Sequence, residues 1–459
     1  MSLQTLIIQL ENKEITPTQL VLRSINRINE LDSQINAVVQ KRFEQALKES
    51  TQDYSKTKFK GIPILLKCLG QDLKGEPSTA ASHLLKDSIA STTSHFVQKC
   101  LDLGFIVLGQ TNSCEFGFKN ITDSKYYGDV KNPVDQSTSP GGSSGGAAAA
   151  LVMDYVPVVS ASDGGGSIRI PASYTNLIGL KPTRGSMPTG PTTYRGWQGA
   201  SINFFLTKTI EDTILLFDAM KENIVQAPFN YVPYVFKNKY YKIAYSVNSP
   251  VNSEVSKEAK EAVLKTVNKL KALGHEVTEI APDYDGLKLM EAYYIVNGVE
   301  TVSMMKAIEK SINRKIKQDD IELMSWAIYQ YGLNISGYQV VDALNLWDLT
   351  SEIMHQFHHD YDLFLTPTTA KRAPDLDYNY FDQEFENKLN NIEFEQNQYE
   401  IIYKMFESSL SFTPFTMLAN MTGQPAISLP LFDNQVGVQF MAAKGNENLL
   451  FEISRQLVE

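Results

Sequence analysis

The sequence predicts an α/β fold: one large domain in which helices cover both faces of a central, mostly parallel or mixed β-sheet. Short apolar runs bounded by turn residues alternate with helical segments over residues 62–160. Such alternation is typical of layered α/β domains. No convincing linker interrupts residues 1–459. A single domain is therefore favoured over the roughly three that about 150 residues per domain would suggest.

The N-terminal segment, residues 1–57, is predicted to be helical. Thr16 is suited to cap a helix, with Pro17 at the first helical position and Gln19 where a capping box needs it. Apolar residues then follow helical spacing. A second helix is expected over residues 37–50.

Buried strands are predicted at residues 62–66, 105–108 and 156–160, which are short apolar runs with turn residues nearby. A helix is expected between the first two strands, over residues 92–103. The Gly-, Ser- and Ala-rich stretch before the third strand resembles a flexible linker in composition. It contains an Ala-rich helical segment at residues 146–153, so its glycines are interpreted as boundaries of ordered elements.

The second half of the chain is predicted to contain a helical insertion over residues 285–360. An amphipathic helix is expected before it, over residues 256–273, with Gly274 as its C-cap. The remaining strands are predicted at residues 275–280, 362–365, 426–429 and 436–441. The acidic, Asn-rich segment at residues 378–398 is expected to be an exposed helix or loop.

Composition argues against several classes of function. The net charge of −10 disfavours broad binding to nucleic acid or to anionic membranes. Three cysteines without a CxxC pair predict neither a zinc knuckle nor a disulfide framework. The longest apolar stretch, residues 147–153, is far below the about 18 residues of a membrane span. The first residues lack the basic start of a signal peptide, so a cytoplasmic location is expected.

Two serine loops suggest covalent chemistry. Residues 140–146 read PGGSSGG, and residues 162–167 read SDGGGS. Successive glycines leave backbone N–H groups unshielded and let them converge on one point, which favours binding of negative charge. If Ser167 attacked an acyl carbon, its own N–H and those of Gly165 and Gly166 could stabilise the oxyanion.

A serine hydroxyl needs a base to act as a nucleophile. None of the six histidines lies near these loops in the sequence, and lysine is the other precedent. Lys67 follows the apolar run at residues 62–66, and such neighbours would lower its pKa towards the neutral form. The pattern alone leaves two alternatives open: a turn or phosphate cradle for the glycine loop, and a surface charge for the lysine.

The same segments resemble the amidase signature family. Residues 141–146 (GGSSGG) and 162–171 (SDGGGSIRIP) are similar to the family's signature. Further similar segments extend the resemblance over most of the chain, at residues 61–67, 109–117, 179–183, 362–368 and 419–427.

The resemblance implies a Ser–Ser–Lys triad. Ser167 would be the nucleophile that forms an acyl-enzyme ester. Ser143 would pass the proton of Ser167 to neutral Lys67, and the family holds this bridging serine in a cis peptide, which Gly142 suits. The implied oxyanion hole would come from Gly164, Gly165 and Gly166.

The resemblance also implies supporting roles. Asp163 and Arg169 would brace the loop, and Ser144 would hydrogen-bond behind it. Family members commonly carry Asp after the lysine, whereas this chain has Cys68, which would change how Lys67 is oriented or how its charge is tuned. Apart from the resemblance, Trp197 follows a Gly- and Pro-rich turn, and from this position it would either contact substrate or anchor the core.

The implied function is hydrolysis of a linear carboxylic amide, a carbon–nitrogen bond other than a peptide bond, to a carboxylate and ammonia or an amine. No metal or cofactor is implied, and the expected partner is a small-molecule amide. Nucleic-acid and membrane partners are not expected, and a homodimer stays compatible with the sequence. The alternative is an amidotransferase A-type subunit that releases ammonia from glutamine for an obligatory partner subunit. A catalytically silent scaffold is disfavoured because Lys67, Ser143 and Ser167 are all present.

Overall fold

In the described residues, a mixed β-sheet of 11 strands forms the centre of the fold. This computed structural model describes residues 2–224, 240–432 and 435–458. The strands are β1 (Val38–Lys41), β2 (Ile62–Lys67), β3 (Phe105–Thr111), β4 (Asp123–Ser124), β5 (Gly128–Asp129), β6 (Val158–Asp163), β7 (Ile178–Lys181), β8 (Ile202–Thr207), β9 (Lys242–Tyr245), β10 (Glu276–Glu279), β11 (Leu363–Pro367), β12 (Ala426–Leu429) and β13 (Val438–Ala442). The short strands β4 and β5 pair with each other in a separate two-stranded sheet. The central sheet has the order β1-β3-β2-β6-β8-β7-β12-β13-β11-β9-β10.

Helices pack against this sheet and form the rest of the domain. They are α1 (Leu3–Glu11), α2 (Pro17–Leu31), α3 (Phe43–Glu49), α4 (His95–Asp102), α5 (Gly145–Val152), α6 (Arg169–Tyr174), α7 (Ile210–Met220), α8 (Lys257–Ala272), α9 (Gly286–Ile312), α10 (Leu323–Leu333), α11 (Gly337–Asp360), α12 (Gln383–Asn390), α13 (Gln398–Phe412), α14 (Met417–Thr422) and α15 (Glu447–Val458). The predicted α/β class and the single large domain are confirmed.

The sheet is mixed rather than mostly parallel. In the described residues, four of its ten strand pairings are parallel and six are antiparallel. The parallel pairings join β2 to β3 and β6, and β9 to β10 and β11. The antiparallel strands β7, β8, β12 and β13 lie between these two groups.

The predicted helix over residues 37–50 is wrong in its first half. Val38–Lys41 forms β1, which pairs antiparallel with β3, and only Phe43–Glu49 is helical. Pairing with a strand distant in the sequence here overrides the local helical preference. The capping box before α2 is confirmed, because Thr16 Oγ1 accepts from the Gln19 N–H at 3.2 Å and Gln19 Oε1 accepts from the Thr16 N–H at 2.8 Å.

Two parallel strands position the functional loops. Ile64 and Leu65 of β2 pair with Val158 and Val159 of β6. The carboxyl ends of parallel neighbours lie at the same edge of a sheet. The end of β2 is therefore brought beside the glycine-rich loop that follows β6. Among the described helices, none is long and apolar enough to cross a membrane.

Candidate active site

Lys67 is the last residue of β2, and its side chain is completely buried. Its Nζ atom donates to Ser143 Oγ at 2.7 Å and to Ser162 Oγ at 3.1 Å. Burial lowers the pKa of Lys67 to about 8, since desolvation disfavours the ammonium form. A substantial neutral fraction is therefore present at mildly alkaline pH, and a neutral amine can accept a proton from a hydroxyl 2.7 Å away.

Ser143 lies two residues before the start of α5, and the Gly142–Ser143 peptide bond is cis, as the family resemblance implied. A side chain at position 142 would overlap the backbone of Ile121, so only glycine fits there. The neighbouring Ser144 donates from Oγ to the Ser162 carbonyl at 3.2 Å, the supporting role expected of it.

Ser167 lies in the wall of the same cavity as Ser143 and is 8% exposed. Within the described ranges its Oγ makes no hydrogen bond, so the structure joins Lys67 to Ser143 but does not join Ser143 to Ser167. The predicted bridge is therefore half formed. His95, one of the histidines that could have replaced the lysine, instead contacts the Thr189 carbonyl through Nδ1 at 2.7 Å.

The glycine loop differs in one respect from the implied oxyanion hole. The Gly166 N–H donates to Asp163 Oδ1 at 2.8 Å, so it is already occupied. Its φ of +137° and its close approach to Thr416 require glycine for the backbone path rather than for oxyanion binding. The N–H groups of Gly164, Gly165 and Ser167 donate no hydrogen bond to any described residue, and all three residues line the cavity.

Two carbonyl groups of the same loop accept hydrogen bonds from side chains in the second half of the sequence. Tyr293 of α9 donates from its hydroxyl to the Gly164 carbonyl at 3.2 Å. Thr416, just before α14, donates from Oγ1 to the Gly165 carbonyl at 2.6 Å. The first contact fixes the peptide plane that carries the free Gly165 N–H group, and the second fixes the plane of the Gly166 N–H group, which donates to Asp163.

Asp163 and Arg169 brace the loop as predicted. Both side chains are fully buried, and Arg169 donates from Nη2 to Asp163 Oδ1 at 2.9 Å and from Nε to Oδ2 at 3.0 Å. Burial alone would raise the pKa of Asp163, but the Arg169 guanidinium holds it at about 2. Asn420 completes the network by donating to Asp163 Oδ1 at 2.8 Å and accepting from Arg169 Nη2 at 2.6 Å.

Replacing Arg169 with Met is expected to lower the free energy of unfolding by about 3–5 kcal/mol, because it leaves the buried Asp163 carboxylate without its counter-charge. Urea unfolding measures the loss. The matched control is Lys388→Met, which breaks the exposed Lys388–Glu384 pair and is expected to leave the free energy of unfolding nearly unchanged, because water screens an exposed ion pair. Equal losses in the two variants would contradict the bracing role.

Sequence reasoning assigned no role to Ser162, Thr416 or Asn420. Ser162 is the second acceptor for Lys67, and its place in β6 carries no local signal of that contact. Asn420 meets Asp163 across 257 positions of sequence, so only the assembled fold reveals it.

The cavity in front of these serines has a volume of about 710 Å³, part of it open to solvent. Among the residues that the structure describes, no charged side chain lines it. Its aromatic lining is Phe116, Phe118, Trp197, Tyr293, Tyr294 and Phe406. Trp197 thus lies where it can meet a substrate, one of the two positions expected for it.

Neither cysteine near the lysine is suited to nucleophilic attack. Burial raises the pKa of the Cys68 and Cys114 thiols to about 12 each. Cys68 therefore adds no negative charge beside Lys67. In the described part of the chain, no group of three or more His, Cys, Asp or Glu residues could hold a metal ion.

The family model for amidases matches residues 19–451. A lipoamidase of Enterococcus faecalis is 37% identical over 452 residues, which cover 96% of this chain and 61% of that protein, so the chain spans less than two thirds of this relative. A 6-aminohexanoate-cyclic-dimer hydrolase of Paenarthrobacter ureafaciens is 30% identical over 467 residues, covering 97% of this chain and 91% of that one. A solved structure of 6-aminohexanoate cyclic dimer hydrolase complexed with substrate superposes with a TM-score of 0.89 at 26% identity, covering 100% of this chain and 96% of that chain.

Proposed function

This chain belongs to the amidase family, and we propose that it hydrolyses a linear, small-molecule carboxylic amide through an acyl-enzyme ester on Ser167. The contact that carries the proposal is the 2.7 Å approach of Lys67 Nζ to Ser143 Oγ. It places a buried amine of lowered pKa against a serine that shares a cavity wall with Ser167. This is the arrangement that a serine nucleophile needs when no imidazole supplies the base.

In the acylation step, Ser167 Oγ attacks the amide carbon while its proton passes to Ser143 and the Ser143 proton passes to neutral Lys67. The carbonyl π electrons move to oxygen, and the N–H groups of Gly164, Gly165 and Ser167 are the proposed donors to that oxyanion. The Ser143–Ser167 hydrogen bond forms when substrate is bound, since catalytic contacts often tighten only in the complex.

Collapse of the oxyanion breaks the carbon–nitrogen bond. The leaving nitrogen takes a proton from Ser143, which is replenished from the Lys67 ammonium. Water then attacks the ester, gives its proton to the same relay and releases the carboxylate with Ser167 restored. Each proton that the relay accepts when a tetrahedral intermediate forms is returned when that intermediate collapses: to the leaving nitrogen in acylation, and to the Ser167 oxygen in deacylation.

The cavity lining supports a substrate that is uncharged in the part next to the scissile amide. A charged group buried there would find no oppositely charged partner among the lining residues, and burying an unpaired charge is costly. Free glutamine carries both an ammonium and a carboxylate group. The cavity therefore favours a free-standing amidase over the amidotransferase A-type alternative.

The purified chain alone is expected to hydrolyse neutral alkyl or aryl amides with a kcat/KM roughly 100-fold or more above that for glutamine. A coupled assay measures the ammonia released from glutamine and from primary amides, and a chromophoric assay measures the arylamine released from anilides. The Ser167→Ala variant, purified in parallel, corrects for contaminating amidases. Glutamine as the preferred substrate, or activity only with a second protein subunit, would support the alternative instead.

A further inference from the structure

A second cavity of about 860 Å³, partly open to solvent, lies beside the catalytic one. Asn120 and Ser409 line both cavities, so the two are neighbours across these side chains. We call the second one the distal cavity. Unlike the catalytic cavity it is charged, and its lining contains Lys119, Asp123, Lys125, Glu322 and Glu386.

The charges of the distal cavity are not fully paired. Lys119 Nζ donates to Asp123 Oδ2 at 3.0 Å and to Glu322 Oε2 at 2.8 Å. Glu322 Oε1 accepts from the Lys125 backbone N–H at 2.8 Å, so both of its oxygens are engaged. Asp123 Oδ1 is shielded from solvent and has no hydrogen-bond partner among the described residues. Buried acceptors are nearly always satisfied, so this oxygen calls for a donor that the described residues do not supply.

The state of Asp123 defines which donor fits. Burial raises its pKa to about 6, with Lys119 opposing the rise, so the carboxylate is ionised at neutral pH and can only accept hydrogen bonds. Aromatic residues lie in the same lining, including Tyr378 and Tyr380, whose ring centroids are 4.7 Å apart. Aromatic faces beside a carboxylate are favourable to ammonium groups and tolerant of amides.

We propose that the distal cavity binds the end of the substrate remote from the scissile amide, and that Asp123 Oδ1 accepts a hydrogen bond from an N–H donor, ammonium or amide, at that end. The inference rests on the proposed function, because it extends the same substrate beyond Asn120 and Ser409. It adds a specificity-determining residue: the neutral cavity holds the body of the substrate, and the distal cavity selects its far end.

The test uses two series of amides of graded chain length, one with the chain on the acyl side of a para-nitroanilide and one with the chain on the leaving amine. In each series the chain ends in an ammonium, a carboxamide, a methyl or a carboxylate group. The wild-type chain is expected, in one of the two series, to prefer a donor-ended chain over the methyl-ended chain by about tenfold or more in kcat/KM, the range of a hydrogen bond to a charged group. Comparison of the ammonium and carboxamide arms shows which donor is used.

Asp123→Ala is expected to reduce that preference to near unity, and Asp123→Asn, which keeps the shape of the side chain, to reduce the ammonium preference. The control is Asp129→Ala, which removes the exposed carboxylate opposite Asp123 in the two-stranded β4–β5 sheet and should keep the preference. Equal rates for donor- and methyl-ended chains in both series, preference for the carboxylate end, or an unchanged preference in both Asp123 variants would overturn the inference. Failure to hydrolyse any member of either series would instead refute the proposed function itself, and the inference with it.

Discussion

Ser167→Ala is expected to lower kcat for neutral amides by on the order of 10⁴–10⁶-fold, because no ester can form without the hydroxyl. The fold is expected to stay intact, since Ser167 Oγ makes no hydrogen bond within the described residues. Steady-state rates on an aryl amide, with the thermal unfolding midpoint of each variant, separate loss of chemistry from loss of structure.

The matched control for this variant is Ser411→Ala. Ser411 is a partly buried serine of α13 that lies outside the lining of the catalytic cavity, and its Oγ donates to the Ser408 carbonyl. It is expected to keep the wild-type rate. If Ser167→Ala also retained a rate within about tenfold of wild type, the nucleophile would have to be sought elsewhere.

Lys67→Ala is expected to lower kcat/KM by about 10²–10⁴-fold, the usual contribution of a positioned general base. The wild-type rate should rise with pH and level off above about 8, because the pKa of Lys67 lies there and only the neutral amine accepts a proton. Below that pH the fraction of neutral lysine, and with it the rate, falls tenfold for each pH unit. Lys67→Arg should not restore activity, since the guanidinium stays protonated.

A pH–rate profile of kcat/KM checks the assignment of Lys67. The control is Lys208→Ala, which removes a surface lysine paired with Asp154 and should leave the profile in place. An active Lys67→Arg variant whose acidic limb still lies near pH 8 would show that another group titrates.

The sequence predicts those elements of the fold whose signals lie within a few consecutive residues. The apolar runs that became β2 and β3, and the Thr16 capping box, were recognised because each is complete within a few residues. The strand at Val38–Lys41 was mistaken for helix because its partner β3 begins more than 60 positions later. Strands β8 and β9 were not predicted at all, since they depend on neighbours supplied by the sheet.

In the candidate site, too, features with a local sequence signal were predicted and features that depend on distant residues were not. The residues Lys67, Ser143 and Ser167 could be found because two of them lie in a recognisable glycine-rich signature. The hydrogen bond from the Gly166 N–H to Asp163 could not be predicted from the sequence. It depends on where Arg169 and Asn420 hold the Asp163 carboxylate. The absence of charge from the catalytic cavity is likewise a property of distant segments that meet only in the folded chain.

The central claim is that Ser167 carries the acyl group and that Lys67, through Ser143, makes it nucleophilic. Peptide mapping by mass spectrometry after reaction with a fluorophosphonate tests it most directly. The account predicts one adduct, on Ser167, formed much more slowly in Lys67→Ala. An adduct on Ser143, Ser162 or Cys114, or labelling of Ser167 at an unchanged rate in Lys67→Ala, would contradict it.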